Sequence, residues 1–311
     1  MDTISRAIET IKHKQPDVEL KLDEPLKNHT TFKVGGPVRV MIFPENATGL
    51  TEVYRILNEF GITPFILGNG SNILASDAGL DIIIISTLKL NNIELIETND
   101  ISLESQVEIT VEAGALLSNV AFTAYENGLS GLEFAHGIPG TMGGAVVMNA
   151  GAYSGEIKDV IIKSTAYNVK TGVYTLTAPE HEFAYRHSVF SKSDDIVLST
   201  VIELQKANKD SIKRKMNELS VRRRESQPLE LPSSGSTFKR PKEGYAAALI
   251  EQAGLKGYIN GGAQVSEKHA GFIVNRGDAT FTEIMAVIEH VREVVFKRFG
   301  IELEPEIKII S

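Results

Sequence analysis

Apolar residues follow two spacings along this chain, and together these spacings predict a mixture of strands and helices. Strand patterns occur in "GPVRVMIFP", "TPFIL", "DIIIIST", "VEITVEAG", "GVYTLT" and "DIVLSTVIEL". Helical spacing occurs in "TGLTEVYRILNEFG" and "LLSNVAFTAYENG", which end on Gly61 and Gly128. The chain from about Thr31 to Leu204 is therefore predicted to combine α and β structure.

The last third of the chain predicts two long helices and a closing strand. "NKDSIKRKMNELSVRRRESQP" has the pattern of a charged helix that stops before Pro228, and the turn-rich "LELPSSGSTFKRP" indicates a domain boundary. "FTEIMAVIEHVREVVFKRFG" predicts a helix ending at Gly300, with an apolar face of Ile284, Val287, Val291 and Val294. "IELEPEIKII" alternates as a strand does. Its two faces are Ile301, Leu303, Ile307 and Ile309 on one side, and Glu302, Glu304, Glu306 and Lys308 on the other.

Composition narrows the function classes. The 311 residues are enough for two domains or one large one, and the net charge of −8 argues against a general nucleic-acid binder. The absence of cysteine excludes disulfides, thiolate metal sites, iron–sulfur clusters and a cysteine nucleophile. "MDTISRAIETIKHKQ" predicts a helix rather than a signal peptide, and no stretch approaches the roughly 20 apolar residues of a membrane span. We therefore expect a cytoplasmic protein.

Residues 68–79, "GNGSNILASDAG", have the composition of a loop that approaches a ligand closely. A P-loop is excluded because the chain has no Gly-Lys pair. A dinucleotide fingerprint is not met, because Ile73 stands where the third glycine belongs and a strand, not a helix, is predicted to follow. Two interpretations remain. The loop is an ordinary hairpin connection, or Gly68 and Gly70 adopt positive φ and successive N–H groups bind an anion, with the next two side chains as further donors.

A second glycine-rich stretch, "GIPGTMGGAVVMNAGAYSGE", covers residues 137–156. Its first part would let the backbone lie flat against a planar ligand, and its second part predicts a small-residue helix whose N-terminus presents free N–H groups. Tight packing between a helix and a sheet is the alternative, because it also selects small residues. The two stretches together suit a long ligand with a diphosphate at one end and a flat ring at the other.

Six motifs occur in a fixed order: "TTFKVGGP", "LGNGSNIL", "GIPGTMGGAVVMNAGAY", "YRHSVF", "GSTFKRP" and "LEPEI". Together they resemble the UDP-N-acetylenolpyruvoylglucosamine reductases, flavoenzymes that complete UDP-N-acetylmuramate for bacterial peptidoglycan. The resemblance extends from about Asn28 to Ile310. It implies an α+β fold with three parts. These are an N-terminal helix and lead-in (1–30), an FAD-binding domain of the vanillyl-alcohol-oxidase (PCMH) type in two lobes (31–204), and a C-terminal α+β substrate-binding domain (205–311).

The resemblance also implies the cofactors and the reaction. FAD would be bound without a covalent link, and NADPH would give it a hydride. Flavin N5 would then give a hydride to C3 of the enolpyruvyl group, while an acid protonates C2. The first glycine-rich loop would wrap the FAD diphosphate, and the second would lie along the flavin ring. The implied FAD-binding residues are Leu67, Gly68, Asn69, Gly70, Ser71, Asn72, Gly137, Ile138, Pro139, Gly140, Thr141, Gly143, Gly144, Asn149, Ala150 and Gly151.

Three residues match the catalytic positions of the family. Ser236 would donate the proton to C2, and a turn-stabilising hydroxyl is the alternative for a serine in "SSGS". Arg186 would hold the substrate carboxylate as a planar fork, and its alternative is a surface arginine. Glu306 would hydrogen-bond the same carboxylate, and a solvated strand edge explains it equally well.

The resemblance also assigns Tyr185, Arg224 and Lys239 to substrate binding, although a solvated helix end explains the arginine as well. "HEFAYRH" is not a zinc motif, because His181 and His187 lie six residues apart and cannot share a helical face. We therefore predict no catalytic metal.

The family has two branches. A longer branch carries an inserted loop with a tyrosine that covers the substrate, and this chain resembles the shorter branch.

Two other functions remain as hypotheses beside the reductase. Another flavin enzyme of the same superfamily, such as an alcohol or hydroxy-acid oxidase, is a second hypothesis, against which the C-terminal motifs speak. A non-enzymatic nucleotide-sugar binder is the third. We expect no nucleic-acid or membrane partner, and a monomer is favoured.

Overall fold

The computed structural model describes residues 2–96 and 105–311, which form a mixture of helices and strands. The helices are α1 (Thr3–Lys14), α2 (Ala47–Glu59), α3 (Leu117–Glu126), α4 (Met142–Met148), α5 (Lys209–Ser226), α6 (Ala246–Gln252) and α7 (Phe281–Phe299). The strands are β1 (Glu19–Pro25), β2 (Pro37–Phe43), β3 (Phe65–Leu67), β4 (Ile73–Ala75), β5 (Leu80–Ser86), β6 (Ile93–Ile96), β7 (Gln106–Glu112), β8 (Leu129–Ser130), β9 (Gly151–Ala152), β10 (Gly155–Glu156), β11 (Ile161–Asn168), β12 (Gly172–Thr177), β13 (Ile196–Lys206), β14 (Ile259–Asn260), β15 (Ala263–Val265), β16 (Ile273–Asn275) and β17 (Lys308–Ile310).

The chain divides into two compact units, each built from three segments. The first comprises residues 1–21, 40–69 and 82–220. The second comprises residues 22–39, 70–81 and 221–311. The domain boundary at residue 205, which rests on the family resemblance, stays a prediction.

The first unit contains a large antiparallel sheet with the strand order β12-β11-β13-β7-β6, and β8 pairs with the end of β13. Helices α3 and α4 pack against this sheet through a continuous apolar core that includes Val120, Ala145 and Ile202. A smaller sheet has the order β1-β2-β5-β3, and α1 and α2 contribute Ile11 and Leu57 to the core beside it. Full burial of an aliphatic side chain of this size stabilises a fold by about 1.5–3 kcal/mol.

The second unit contains the antiparallel sheet β14-β15-β16 and the parallel pair β4-β17. Helix α7 begins with a capping box between Thr280 and Glu283 and ends at Gly300, whose φ is +72°. Its predicted apolar face is confirmed for Ile284, Val287 and Val291, which are all buried. At the fourth position the prediction is off by one, because Val294 is half-buried and the next residue, Val295, is the buried one.

The closing strand is shorter than the alternation predicts. Leu303 and Ile307 are buried and Glu302 is exposed, as expected, but only residues 308–310 form a strand. Pro305 has no N–H to donate to a ladder, so a regular strand cannot run through it.

A membrane span would need a longer apolar helix than any found in the described part of the chain.

Candidate active site

The glycine loop after β3 is not a hairpin, which excludes the first of the two interpretations left by the sequence. β3 pairs with β5 and β4 pairs with β17, both in parallel. Gly70 has the predicted positive φ, +59°, and a Cβ on it would overlap the carbonyl oxygen of His29. The prediction for Gly68 is wrong, because its φ is not positive. Gly68 is required instead by close packing, since a Cβ there would overlap the hydroxyl of Thr141.

This loop offers consecutive backbone donors. Within the described residues, the N–H groups of residues 68–71 donate to no acceptor. Gly70 is buried, and a buried N–H without a partner is rare in folded proteins. Consecutive unpaired N–H groups around a residue of positive φ are the backbone arrangement that binds anions. The loop therefore fits the diphosphate of a dinucleotide.

The two glycine-rich stretches meet in the first unit. The side-chain Nδ2 of Asn69 donates to the carbonyl oxygen of Pro139 over 2.7 Å. Gly68 packs against Thr141, as described above. The fold thus brings together residues that lie 70 positions apart in the sequence. Both belong to segments that were predicted to contact the same ligand.

The small-residue helix α4 is confirmed, but its predicted open N-terminus is wrong. The first helical N–H donates to the carbonyl of Ala115 over 2.8 Å, and that of Gly143 donates to Ala113 over 2.8 Å. The N–H of Gly144 donates to the side chain of Thr141, the N-cap residue, over 3.4 Å. The packing alternative explains this stretch better, because a Cβ on Gly143 would lie 2.9 Å from the Cβ of Ala113.

Arg186 lies in a tight turn of residues 184–187, closed by reciprocal backbone hydrogen bonds of 3.1 and 3.2 Å between Ala184 and His187. Its φ is +51°, a conformation that costs a non-glycine residue about 1–2 kcal/mol. The guanidinium carbon lies 5.0 Å from the ring centroid of Tyr185, and Nη2 donates to the carbonyl of Gly151 over 3.3 Å. This half-buried and conformationally strained arginine differs from a freely solvated surface residue, and such strain is concentrated at functional sites.

Asn149 holds this turn in place. Its Nδ2 donates to the carbonyl of Ala184 and to the carboxylate of Glu156, each over 3.1 Å, and its Oδ1 accepts the N–H of Lys158 over 3.1 Å. Burial raises the pKa of Glu156, but hydrogen bonds from Lys158 and Asn149 and the nearby Arg186 outweigh it and keep that pKa below its ordinary value. The Asn149 side chain, predicted to bind cofactor, is thus engaged within the protein.

Ser236 and Glu306 belong to neighbouring segments of the second unit. Ser236 forms an isolated antiparallel bridge with Phe272, and the N–H of Glu306 donates to the carbonyl of Thr237 over 2.8 Å. Ser236 is exposed, and its hydroxyl makes no hydrogen bond to the described residues, so the turn-stabilising alternative is not observed. The Nδ2 of Asn72 donates to the Glu306 carbonyl over 3.1 Å.

Comparison with known proteins identifies the family. Residues 227–310 match the C-terminal domain of UDP-N-acetylenolpyruvoylglucosamine reductase, and residues 38–176 match an FAD-binding domain. The reductase of that name from Caldanaerobacter subterraneus subsp. tengcongensis is 46% identical to this chain, over 98% of both proteins. The one from Agathobacter rectalis is 45% identical, again over 98% of both.

The chain belongs to the UDP-N-acetylenolpyruvoylglucosamine reductase family. The crystal structure of the Thermus caldophilus reductase is 32% identical, covers 94% of this chain and 99% of its own, and superposes with a TM-score of 0.77. The chain is thus an FAD-dependent oxidoreductase with the α+β fold expected from the resemblance, an FAD-binding domain followed by the family's C-terminal domain.

His136 is a candidate residue of this reductase that the sequence analysis missed. It directly precedes residues 137–141, and its Nδ1 is shielded from solvent without a hydrogen-bond partner among the described residues. A buried unpaired nitrogen destabilises a fold by about 1–3 kcal/mol. A bound group that supplies the partner would remove this penalty, so the site fits a cofactor. The available signal was a histidine within the otherwise apolar and small run "FAHGIPG".

The residues assigned to substrate binding occupy different surroundings. The ring of Tyr185 is 48% exposed beside Arg186. Lys239 forms an ion pair with Glu304. Arg224 is exposed in the last turn of α5, which agrees with the solvated helix end that the sequence left open.

The first histidine of the "HEFAYRH" stretch is part of the core. His181 is fully buried, its Nδ1 lies 2.8 Å from the carbonyl of Thr177, and its Nε2 lies 2.9 Å from the hydroxyl of Ser164. Burial lowers the pKa of His181, which favours the neutral ring. Across residues 2–96 and 105–311, no group of three or more acidic, histidine or cysteine side chains could hold a metal ion.

Proposed function

We propose that this chain reduces UDP-N-acetylenolpyruvoylglucosamine to UDP-N-acetylmuramate, with NADPH as the hydride donor, in the synthesis of peptidoglycan precursors. The observation that carries the proposal is the pairing of the Ser236 and Glu306 segments within the C-terminal domain that matches this family. The Ser236 hydroxyl is exposed and makes no hydrogen bond to the described residues, so it is available to a substrate. The same family membership argues against the oxidase and against the non-enzymatic binder.

FAD would be held without a covalent link by the two glycine-rich stretches. The open N–H groups of residues 68–71 would bind the diphosphate, and residues 137–141, with the unpaired Nδ1 of His136, would line the flavin ring. When bound there, FAD would supply the two-electron chemistry that connects NADPH oxidation with reduction of the enolpyruvyl group at C3. The family resemblance also assigns Gly143, Gly144, Asn149, Ala150 and Gly151 to FAD, although the N–H groups of the first two and the side chain of Asn149 are engaged within the protein.

The protein's own residues would stabilise the charge that develops on the substrate. Arg186 would donate two N–H groups to the substrate carboxylate, because a guanidinium matches a carboxylate in a planar fork. Its strained turn, fixed by Asn149, would hold the fork in one orientation. Glu306 would hydrogen-bond the same carboxylate, which requires one of the two groups to carry a proton. Fixed donors of this kind stabilise a transition state without reorganising.

Ser236 would transfer its hydroxyl proton to C2. A serine is a weak acid in water, so the transfer needs neighbours that stabilise the alkoxide or relay a proton. Tyr185, Arg224 and Lys239 would contribute to binding of the nucleotide sugar.

Rapid mixing of the FAD-loaded protein separates this role from a structural one. Ser236→Ala should leave the bleaching of the flavin by NADPH nearly unchanged, but slow its reoxidation by the enolpyruvyl substrate by at least about 100-fold, the lower range for losing a positioned acid. Ser226→Ala, which removes an exposed serine at the end of α5, is the matched control and should change neither step. Equal slowing of both steps by Ser236→Ala would make the serine structural and contradict the proposal.

A further inference from the structure

Asn72 lies in the same compact unit as Glu306 and is joined to its segment by two hydrogen bonds. The side-chain Nδ2 of Asn72 donates to the carbonyl oxygen of Glu306 over 3.1 Å. The backbone carbonyl of Asn72 accepts the N–H of Lys308 over 2.9 Å. The parallel pairing of β4 with β17 continues directly from there, with Ile73 opposite Lys308. The end of the glycine loop is therefore fixed to the segment that carries Glu306.

Glu306 is held through its backbone from two sides. Its N–H donates to the carbonyl of Thr237, the residue after Ser236, over 2.8 Å. Its carbonyl accepts the amide of Asn72. Asn72 thus completes a chain of hydrogen bonds that fixes the Glu306 backbone relative to the segment bearing Ser236.

Asparagine suits this position for a chemical reason. It carries an NH₂ donor on a short stem, whereas aspartate would present only acceptor oxygens to the Glu306 carbonyl and alanine would present nothing. One such hydrogen bond stabilises a fold by only about 0.5–1.5 kcal/mol. Catalysis is more sensitive than stability, because a displacement of about 1 Å in a reacting group lowers a rate by up to about 100-fold.

We propose that Asn72 is a positioning residue, whose side-chain amide holds Glu306 in register with Ser236. The proposal rests on the proposed function, from which the role of Glu306 derives. It also revises the sequence-based assignment of Asn72, whose side chain was expected to donate to the FAD diphosphate. The loop would bind that diphosphate through the backbone N–H groups of residues 68–71, and its last residue would organise the substrate side of the site.

The test compares the two half-reactions of the FAD-loaded Asn72→Ala protein with wild type. Reoxidation by UDP-N-acetylenolpyruvoylglucosamine should slow by about 10-fold or more, since Glu306 loses its register. Reduction by NADPH and the Kd for FAD should stay close to wild type. Asn72→Ser, which keeps a short donor, should recover part of the lost rate. In the Glu306→Gln background, Asn72→Ala should add little, because both changes act on the same group.

Asp77→Ala is the matched control. Asp77 belongs to the same loop segment and accepts the N–H of Phe281 at the start of α7, so its removal also deletes a side-chain contact to the C-terminal part of the unit. It should lower stability by a similar amount and leave both half-reactions unchanged. A loss of reoxidation as large as that of Asn72→Ala would make the effect a general one and overturn the proposal.

Two further outcomes would overturn it. If Asn72→Ala weakens FAD binding and reoxidises normally at saturating FAD, the amide is a cofactor ligand instead. If Asn72→Ala does not fold, Asn72→Asp decides, because aspartate keeps the size of the side chain but has no NH₂ donor, and normal reoxidation by a stable Asn72→Asp protein would contradict the proposal. A wild-type protein that the enolpyruvyl substrate does not reoxidise would remove the proposed function as well. If only the inference about Asn72 is wrong, the enolpyruvyl substrate still reoxidises the wild-type protein, and Ser236→Ala still slows that step as predicted.

Discussion

The two glycine-rich stretches have similar compositions, yet their small residues have different physical causes. In residues 68–71 the backbone N–H groups have no acceptor among the described residues, and Gly70 needs its positive φ. In residues 142–144 the N–H groups are occupied, and Gly143 is required because the helix lies against Ala113. A dense run of glycine therefore does not by itself indicate a ligand. Two observations distinguish a glycine that leaves space for a ligand from one that allows close packing within the protein. These are the atoms that an added Cβ would contact and the acceptors of the neighbouring N–H groups.

Gly70→Ala should produce the largest loss of stability in either stretch. The new Cβ would overlap the backbone of His29, and the positive φ adds strain, so we expect a loss of about 2–5 kcal/mol in the free energy of unfolding. Gly61→Ala is the matched control, because its φ is +70° and nothing lies within 4 Å of the added Cβ. Chemical denaturation of both variants measures the difference. Equal losses would show that the close approach to His29 contributes nothing.

Gly143→Ala and Gly144→Ala sharpen the comparison within one helix. The Cβ at 143 would press on Ala113, which should cost about 1–3 kcal/mol of unfolding free energy. The Cβ at 144 would meet only the Thr141 hydroxyl at 3.5 Å, an ordinary contact, so FAD-free protein should gain up to about 1 kcal/mol from helix propensity. If Gly144 lines the flavin ring, the same change should weaken FAD binding. Unchanged FAD affinity in both variants would show that neither glycine contacts the cofactor, and packing would then explain Gly143 but not Gly144.

His136→Phe should shift stability and cofactor affinity in opposite directions. Removal of a buried unpaired nitrogen should stabilise the FAD-free protein by about 1 kcal/mol, if the ring is accommodated. Loss of the partner for the cofactor should raise the Kd for FAD by about tenfold, the equivalent of one hydrogen bond of about 1.4 kcal/mol. Thermal unfolding without FAD and fluorescence titration with FAD measure the two effects. A variant that loses stability without FAD would show that the histidine is a structural residue.

Asn69→Ala should give the smallest change in stability. The bond from Asn69 to the carbonyl of Pro139 is exposed, so its loss should lower the free energy of unfolding by about 0.5–1 kcal/mol. Because this bond joins the two stretches, the Kd for FAD should rise by more than the loss of stability explains. Chemical denaturation and FAD titration of the same preparation measure the two effects. If stability and FAD affinity fall by the same small amount, the two stretches stay together without the Asn69 hydrogen bond.

The parts of the fold that the sequence predicted are those determined by local patterns. β13 and α7 form where the apolar patterns predict a strand and a helix, and the glycine after α7 ends it as expected. The closing strand was predicted too long because Pro305 interrupts the ladder without disturbing the alternation of burial. The open start of α4 was a wrong prediction because its N–H groups are satisfied by the carbonyls of Ala113 and Ala115, which no local pattern shows.

In the candidate site too, local features could be predicted from the sequence and long-range contacts could not. The glycine loop could be found from composition, and in the structure the N–H groups of residues 68–71 have no acceptor among the described residues. Asn72 and Asn149 were assigned to the cofactor, but their side chains donate to partners 234 and 35 residues away, which only the fold brings near. The unpaired nitrogen of His136 is likewise a property of burial. The catalytic roles of Ser236, Arg186 and Glu306 come from the family motifs and stay predictions.

The central claim is that this chain carries electrons from NADPH to an enolpyruvyl nucleotide sugar through FAD. The most direct test is the absorbance spectrum of purified protein, reconstituted with FAD, during anaerobic addition of NADPH and then of UDP-N-acetylenolpyruvoylglucosamine. The account predicts a flavin band that bleaches with the first addition and returns with the second. A band that bleaches and does not return would contradict the substrate, and folded protein that takes up no FAD would contradict the role of residues 68–71.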